Sequence, residues 1–183
     1  IERESSIKSS HSGLKLGIFA ILRKEKGHIY AIQAVAELKQ LGKIVHLHIF
    51  GDGADREKLR ASVIELGLKE EVIFHGEVSQ VEQHIYAMDI ILIPSLFESF
   101  GYIAIEAMSL NKWVIASKVG GLPEIIEDGV NGSLIPAGSS VEIAKVIFFL
   151  EDQILNKKLI SKGLDTEKFG LNPVLPGNTI NKT

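Results

Sequence analysis

The sequence contains no cysteine, so neither a disulfide nor a cysteine-ligated zinc can organise it, and a reducing compartment fits. It also lacks any apolar run near the roughly 18 residues that would cross a bilayer. Its polar start, IERESSIKSSHSG, has no signal-peptide core. A soluble cytoplasmic protein is the plain expectation. Excess positive charge is missing too. With 20 basic and 23 acidic residues the net charge is −3, which gives no support for a nucleic-acid partner. No Gly-x-Ser-x-Gly nucleophile turn and no Walker-type glycine loop occurs. His46 and His48 share a strand face by their period of two, yet no third ligand stands at a recognisable spacing. No metal is expected.

What is present suits one α/β domain. Apolar residues make up 45% of the 183, enough for a real core in a single domain. Residues 1–13 hold five serines, and residues 169–183 hold Pro173, Pro176, Gly177 and three asparagines. Both read as flexible tails around a domain at 14–168. Short apolar runs rich in β-branched residues predict buried strands at 16–21, 45–50, 72–75, 90–93, 114–116 and 133–135. Helical periodicity falls between them at 28–41, 56–67, 79–87, 102–110, 121–127 and 140–150. Ile29, Ile32, Ala36 and Lys39 illustrate the spacing of the first helix, which Gly42 is placed to end. Six strand–helix alternations imply a doubly wound parallel sheet, Rossmann-like.

Ligands of such sheets bind beyond the carboxyl ends of the strands, so the turns into helices carry the chemistry. The strongest turn is PSLFESFGYIAIEAM, residues 94–108. Pro94 ends a strand, Glu98 sits in the loop, and Gly101 opens a helix and lets backbone approach a ligand. The free amides near Gly101, Tyr102 and Ile103 form an anion site with a favourable dipole. Glu106 lies one turn past Tyr102 on the same face. Carboxylates accept pairs of hydroxyls and are poor neighbours for phosphate, so this order suits a sugar, a diphosphate and a ribose. The same glutamates also read as ordinary solvated side chains. A second turn, AILRKEKGHI, crowds Arg23, Lys24 and Lys26 before Gly27. Cations there would neutralise charge growing on a leaving diphosphate, or form a solvated basic turn.

With its glutamates eight positions apart, PSLFESFGYIAIEAM resembles the E-x7-E signature of the retaining glycosyltransferases of family 4. Their GT-B architecture sets two Rossmann domains across a cleft. KGHIYAIQA, IFGDGADREKL, VIFHGEV and VGGLPEIIEDGVNGSLIP follow in the family's order, so the resemblance covers roughly residues 15–165, the donor-binding half. It implies a nucleotide-diphosphate sugar as substrate, without further cofactor or metal; the Asp-x-Asp element of the other glycosyltransferase architecture is absent. Catalytic roles are implied for Lys26 and Arg23 at the leaving diphosphate and for Glu98 at the sugar hydroxyls. Nucleotide-sugar binding is implied for Phe100, Gly101, Tyr102 and Ile103 at the helix start, for Glu106 at the ribose, and for Gly76 to Val78 at the base. Gly51 and Gly53 then read as a tight turn near the acceptor side, with Asp55 placed to cap the next helix. Gly120, Gly121 and Glu124 either help shape the cleft or form a simple turn.

Three positions depart from the family. Ile21 stands where its arginine is usual, and Asn111 and Trp113 replace a glycine and a proline. Asparagine tolerates the left-handed cap conformation, and Trp113 reads as core or interface packing. The tail diverges after Phe169, and the acceptor domain is not in the sequence. An excised domain, a truncated gene product or a subunit of a split enzyme would all fit. The resemblance thus implies the donor domain of a retaining glycosyltransferase that moves a hexose to a hydroxyl. The implied partners are the donor and an N-terminal acceptor domain or partner chain, with room for peripheral membrane association of the full enzyme. A nucleotide-sugar-binding module without turnover is the alternative. An epimerase would share the architecture, but the signature argues against it.

Overall fold

Alternation of period two builds a sheet that is buried on both faces. The computed structural model describes residues 13–161; the expected tail at 169–183 and residues 1–12 of the expected N-terminal tail lie outside the described residues. Strands β1 (Leu14–Phe19), β2 (Val45–Phe50), β3 (Val72–Gly76), β4 (Ile90–Ile93), β5 (Trp113–Ser117) and β6 (Gly132–Ile135) pair in parallel in the order β3-β2-β1-β4-β5-β6. Helices α1 (His28–Gln40), α2 (Arg56–Glu65), α3 (Val81–Tyr86), α4 (Tyr102–Ser109), α5 (Leu122–Ile125) and α6 (Ser140–Ser161) connect and flank them. Along β4, Ile90 and Leu92 enter one core while Ile91 and Ile93 enter the other. β5 divides Ile115 from Val114 and Ala116 in the same way. The first core is closed by α1, α2 and α6, the second by α3, α4 and α5. Strands covered on both faces must be apolar throughout, which is why they read as runs.

Every expected strand and helix is present, with corrections at particular residues. β1 begins and ends two residues early, because Ala20 leaves the strand to donate to the Phe50 carbonyl at 3.0 Å. The buried stripe of α1 is Ala31, Ile32, Ala34, Val35 and Leu38, not the one through Lys39. Lys39 instead pairs with Glu71 at 2.6 Å. A helix wedged between a sheet and α6 buries a wider face than simple spacing predicts. α6 runs eleven residues past its expected end at 150. Just past that end, the Glu151 carboxylate is buried against the Lys43 ammonium. Asp55 stands at the start of α2 without capping it; Asp52 accepts from Gly53 N–H at 2.7 Å and from the Arg56 guanidinium.

Gly42 and Asn111 take the expected left-handed conformation, with φ of 73° and 55°. Asparagine tolerates the left-handed region better than alanine does, and glycine better still, so Asn111→Ala is expected to lose about 1 kcal/mol, and Asn111→Gly none. Urea unfolding of the three proteins measures the difference.

Candidate functional site

The chain runs from β1 outward to β2 and β3, then crosses back to lay β4 on the other side of β1. The loops leaving β1 and β4 therefore diverge, and a crevice opens at the carboxyl ends of these two neighbouring strands. A cavity of about 270 Å³ occupies it. Its walls are the ends of β1 and β4, Lys26, Glu98, and Gly101, Tyr102 and Ile103 at the start of α4.

Main-chain contacts hold the two loops together. Leu96 N–H donates to the Glu25 carbonyl at 2.8 Å. Gly27, at φ 69°, lies so close to the other loop that a Cβ would come 1.9 Å from the Pro94 oxygen. Lys26, in a short 3-10 turn (Lys24–Lys26), thereby meets Glu98: Nζ to Oε2 is 2.8 Å, with the side chains 23% and 16% exposed. The Ser95 hydroxyl, buried, donates to the same oxygen at 3.4 Å.

A third turn braces this loop from beneath. A Cβ on Gly120 would come 1.5 Å from the Glu98 carbonyl oxygen, and one on Gly121 would come 2.9 Å from that of Ser99. The Gly-Gly pair therefore packs backbone against backbone under Glu98. Gly101 has a similar reason. Its φ is 87°, and Leu122 Cδ2 lies 2.6 Å from its would-be Cβ. Packing against α5 requires glycine there. No side chain caps α4, so its first amides remain for an anion in the cavity.

The structure thus unites Lys26, Glu98, Gly101, Tyr102 and Ile103. The remaining candidates lie elsewhere. Arg23 is 59% exposed, 3.9 Å from Glu25, and lines a neighbouring cavity. Phe100 is exposed, its ring 4.7 Å from that of Tyr102. Glu106 is exposed on α4, outside the cavity lining. Gly76 ends β3 and accepts from Gly51 N–H at 2.7 Å, while Val78 packs on the second core; neither lines the cavity. Ile21 does line it, 43% exposed. Among the described lining residues, Lys26 is then the single cation, and Glu98 balances it.

Ser95 and His28 escaped the sequence reading. Each is a lone polar residue with no periodicity to mark it, though both sit directly at strand-to-helix turns. Burial pushes the His28 pKa down to about 4. His48 Nδ1 lies 2.9 Å from His75 Nε2, and burial, then His75, lowers the His48 pKa to about 4. Trp113 opens β5, packs on the first core and donates to Ser133 Oγ at 3.0 Å. Among the described residues no three His, Cys, Asp or Glu side chains gather to hold a metal.

Comparison with known proteins agrees with this geometry. Residues 5–166 match a family model described as glycosyl transferases group 1. The 2-deoxystreptamine glucosyltransferase of Streptomyces kanamyceticus is 33% identical over 137 residues, 74% of this chain and 35% of that protein. Anabaena Alr3699/HepE, solved in complex with UDP-glucose, is similar with a TM-score of 0.71 at 32% identity, over 75% of this chain and 39% of that one. The C-terminal domain of LpcC from Francisella tularensis, a glycosyl transferase group 1 family protein, gives 0.67 at 34% identity, over 75% and 74%. The chain spans about a third of the length of the curated relatives it matches.

Proposed function

This chain belongs to the glycosyl transferases group 1 family, and from that premise we propose that it is the donor-binding half of a retaining, metal-independent hexosyltransferase. The observation that carries the reading is the Lys26–Glu98 pair, 2.8 Å apart at the switch-point cavity. A diphosphate entering there exchanges places with Glu98 as the partner of Lys26, and Glu98 turns to the sugar hydroxyls. Lys26 and the α4 amides then carry the charge that develops as the glycosidic bond breaks, the largest demand of the reaction. Arg23, lining a different cavity, adds to the positive field without contact. The acceptor hydroxyl attacks on the face the diphosphate leaves, so the configuration is retained; the acceptor itself binds to a partner half. UDP and UDP-glucose in the HepE structures support a nucleotide-sugar donor, and the name of the Streptomyces relative supports a hexose.

In this reading Phe100 and Tyr102 flank the nucleotide, Gly76 and Val78 lie toward the base, and Glu106 accepts the ribose hydroxyls. Glu106→Ala is expected to weaken UDP about tenfold, the worth of one charged hydrogen-bonding pair, while leaving the melting temperature unchanged because the side chain is exposed. The reading also places the enzyme in the cytoplasm, against a membrane through its full-length form; among the described residues no helix is long and apolar enough to cross one. Calorimetry with UDP-, GDP- and ADP-sugars tests the whole. One nucleotide series should bind. Absence of heat with all three would end the proposal.

A further inference from the structure

The donor cavity lies at the carboxyl ends of the strands. A larger one, of about 810 Å³, opens at the opposite pole, under the amino ends of β4, β5 and β6. Met88 and Asp89 precede β4, Trp113 opens β5, and Ser133 stands at the start of β6. The remaining wall is the middle of α6, from Val146 to Ile154. On that wall Phe149 is 72% exposed, and Val130, also in the lining, is 64% exposed.

The charged groups and the indole of this lining already have partners within the protein. The Asp89 carboxylate accepts from Lys15 N–H at 2.8 Å, and Lys112 donates to the Tyr86 carbonyl at 2.6 Å. The Trp113 indole donates to Ser133 Oγ at 3.0 Å. What is left facing water is apolar surface, whose removal from water is favourable. The cavity therefore suits an apolar segment, not a charged small molecule.

Such a segment lies within reach on the same chain. α6 ends at Ser161, and residues 162–183 lie outside the described residues. Along the helix, Ser161 is about 10 Å beyond Ile154 and about 18 Å beyond Phe149, at 1.5 Å per residue. The stretch 162–169 extends to roughly 26 Å, enough to turn back as far as Phe149. Gly163, just past the helix end, has the backbone freedom that such a reversal needs. The mostly polar KGLDTEK then leads into FGLNPVL, which carries Phe169, Leu171, Val174 and Leu175. Pro173 disfavours a helix there and suits an extended strip.

We propose that residues 169–175 dock in this cavity, with Phe169 and Leu171 against Phe149. So short a tether sets an effective concentration in the millimolar range, which a second copy or a separate partner would have to match. The docked segment closes the pole away from the donor cavity, and the inference does not rest on the donor reading.

The sequence has one tryptophan and no cysteine, so Trp113 is a unique reporter inside the cavity and Asn172→Cys a unique site for a nitroxide. In the full chain the label should remove most of the Trp113 indole N–H signal in NMR spectra, and reducing the nitroxide should bring it back. Phe169→Ser, which alters no described residue, should restore the signal in the labelled chain. Phe149→Ser, at an exposed position, should do the same from the other side of the contact. A mixture in which labelled chains are unenriched and unlabelled chains carry nitrogen-15 should show no loss. The proposal is overturned if the label leaves the Trp113 signal intact, if the loss persists in both serine variants, or if the mixture shows the same loss, which would place a second copy in the cavity.

Discussion

Lys26→Ala is expected to weaken UDP binding at least about a hundredfold, equivalent to roughly 2.7 kcal/mol. The substitution removes the single cation among the described lining residues of the first cavity. It also leaves the Glu98 carboxylate, 16% exposed, facing the incoming diphosphate without its partner. Truncating one member of a partly buried charge pair costs about 2–5 kcal/mol, much of it from the charge left behind. That second part is separable. In Lys26→Ala/Glu98→Gln the repulsion is gone, so about tenfold of the lost affinity should return. Uridine, which carries no phosphate, should bind all three proteins alike. Calorimetry with UDP and uridine decides the matter: an affinity for UDP within threefold of wild type in Lys26→Ala would remove Lys26 from the diphosphate site.

Gly120→Ala should have the next largest effect, and a different one. At φ 54° an alanine is strained, and its Cβ would fall 1.5 Å from the Glu98 carbonyl oxygen. No rotamer relieves a backbone overlap, so the loop carrying Glu98 must move. The buried clusters do not include Gly120; the protein is expected to fold, with a loss of about 1–3 kcal/mol. The functional loss falls on the sugar. On the proposed role of Glu98 at the sugar hydroxyls, wild type should prefer UDP-glucose over UDP, and Gly120→Ala should abolish that preference while keeping most affinity for UDP itself. An unchanged ratio of the two affinities in the variant would show that the Gly-Gly brace does not position Glu98.

The strands were legible because burial on both faces forces apolar runs, and Asn111 was legible because few residues other than glycine accept a left-handed cap. The meeting of Lys26 with Glu98 was not derivable from spacing. The two are 72 residues apart, and only the return of β4 to the side of β1 makes them neighbours. Strand–helix alternation alone does not state that order. Arg23 lines the neighbouring cavity, apart from Lys26, for a comparable reason. It precedes the 3-10 turn in an extended conformation, φ −134° and ψ 154°, so the three-residue repeat that would stack it over Lys26 does not reach it. The full length of α6 was not legible either; its continuation past 150 places Glu151, a carboxylate, in a buried position that Lys43, distant in sequence, neutralises.

The bond from Leu96 N–H to the Glu25 carbonyl has an evolutionary consequence. It is drawn between a carbonyl, which every residue has, and an N–H, which every residue but proline has, so the bond itself survives a change of side chain at positions 25 and 96 and keeps Lys26 near Glu98. What the contact does require is Gly27, whose missing Cβ lets the two loops touch. The walls of the cavity can then change in chemistry without rebuilding the frame that brings Lys26 and Glu98 face to face.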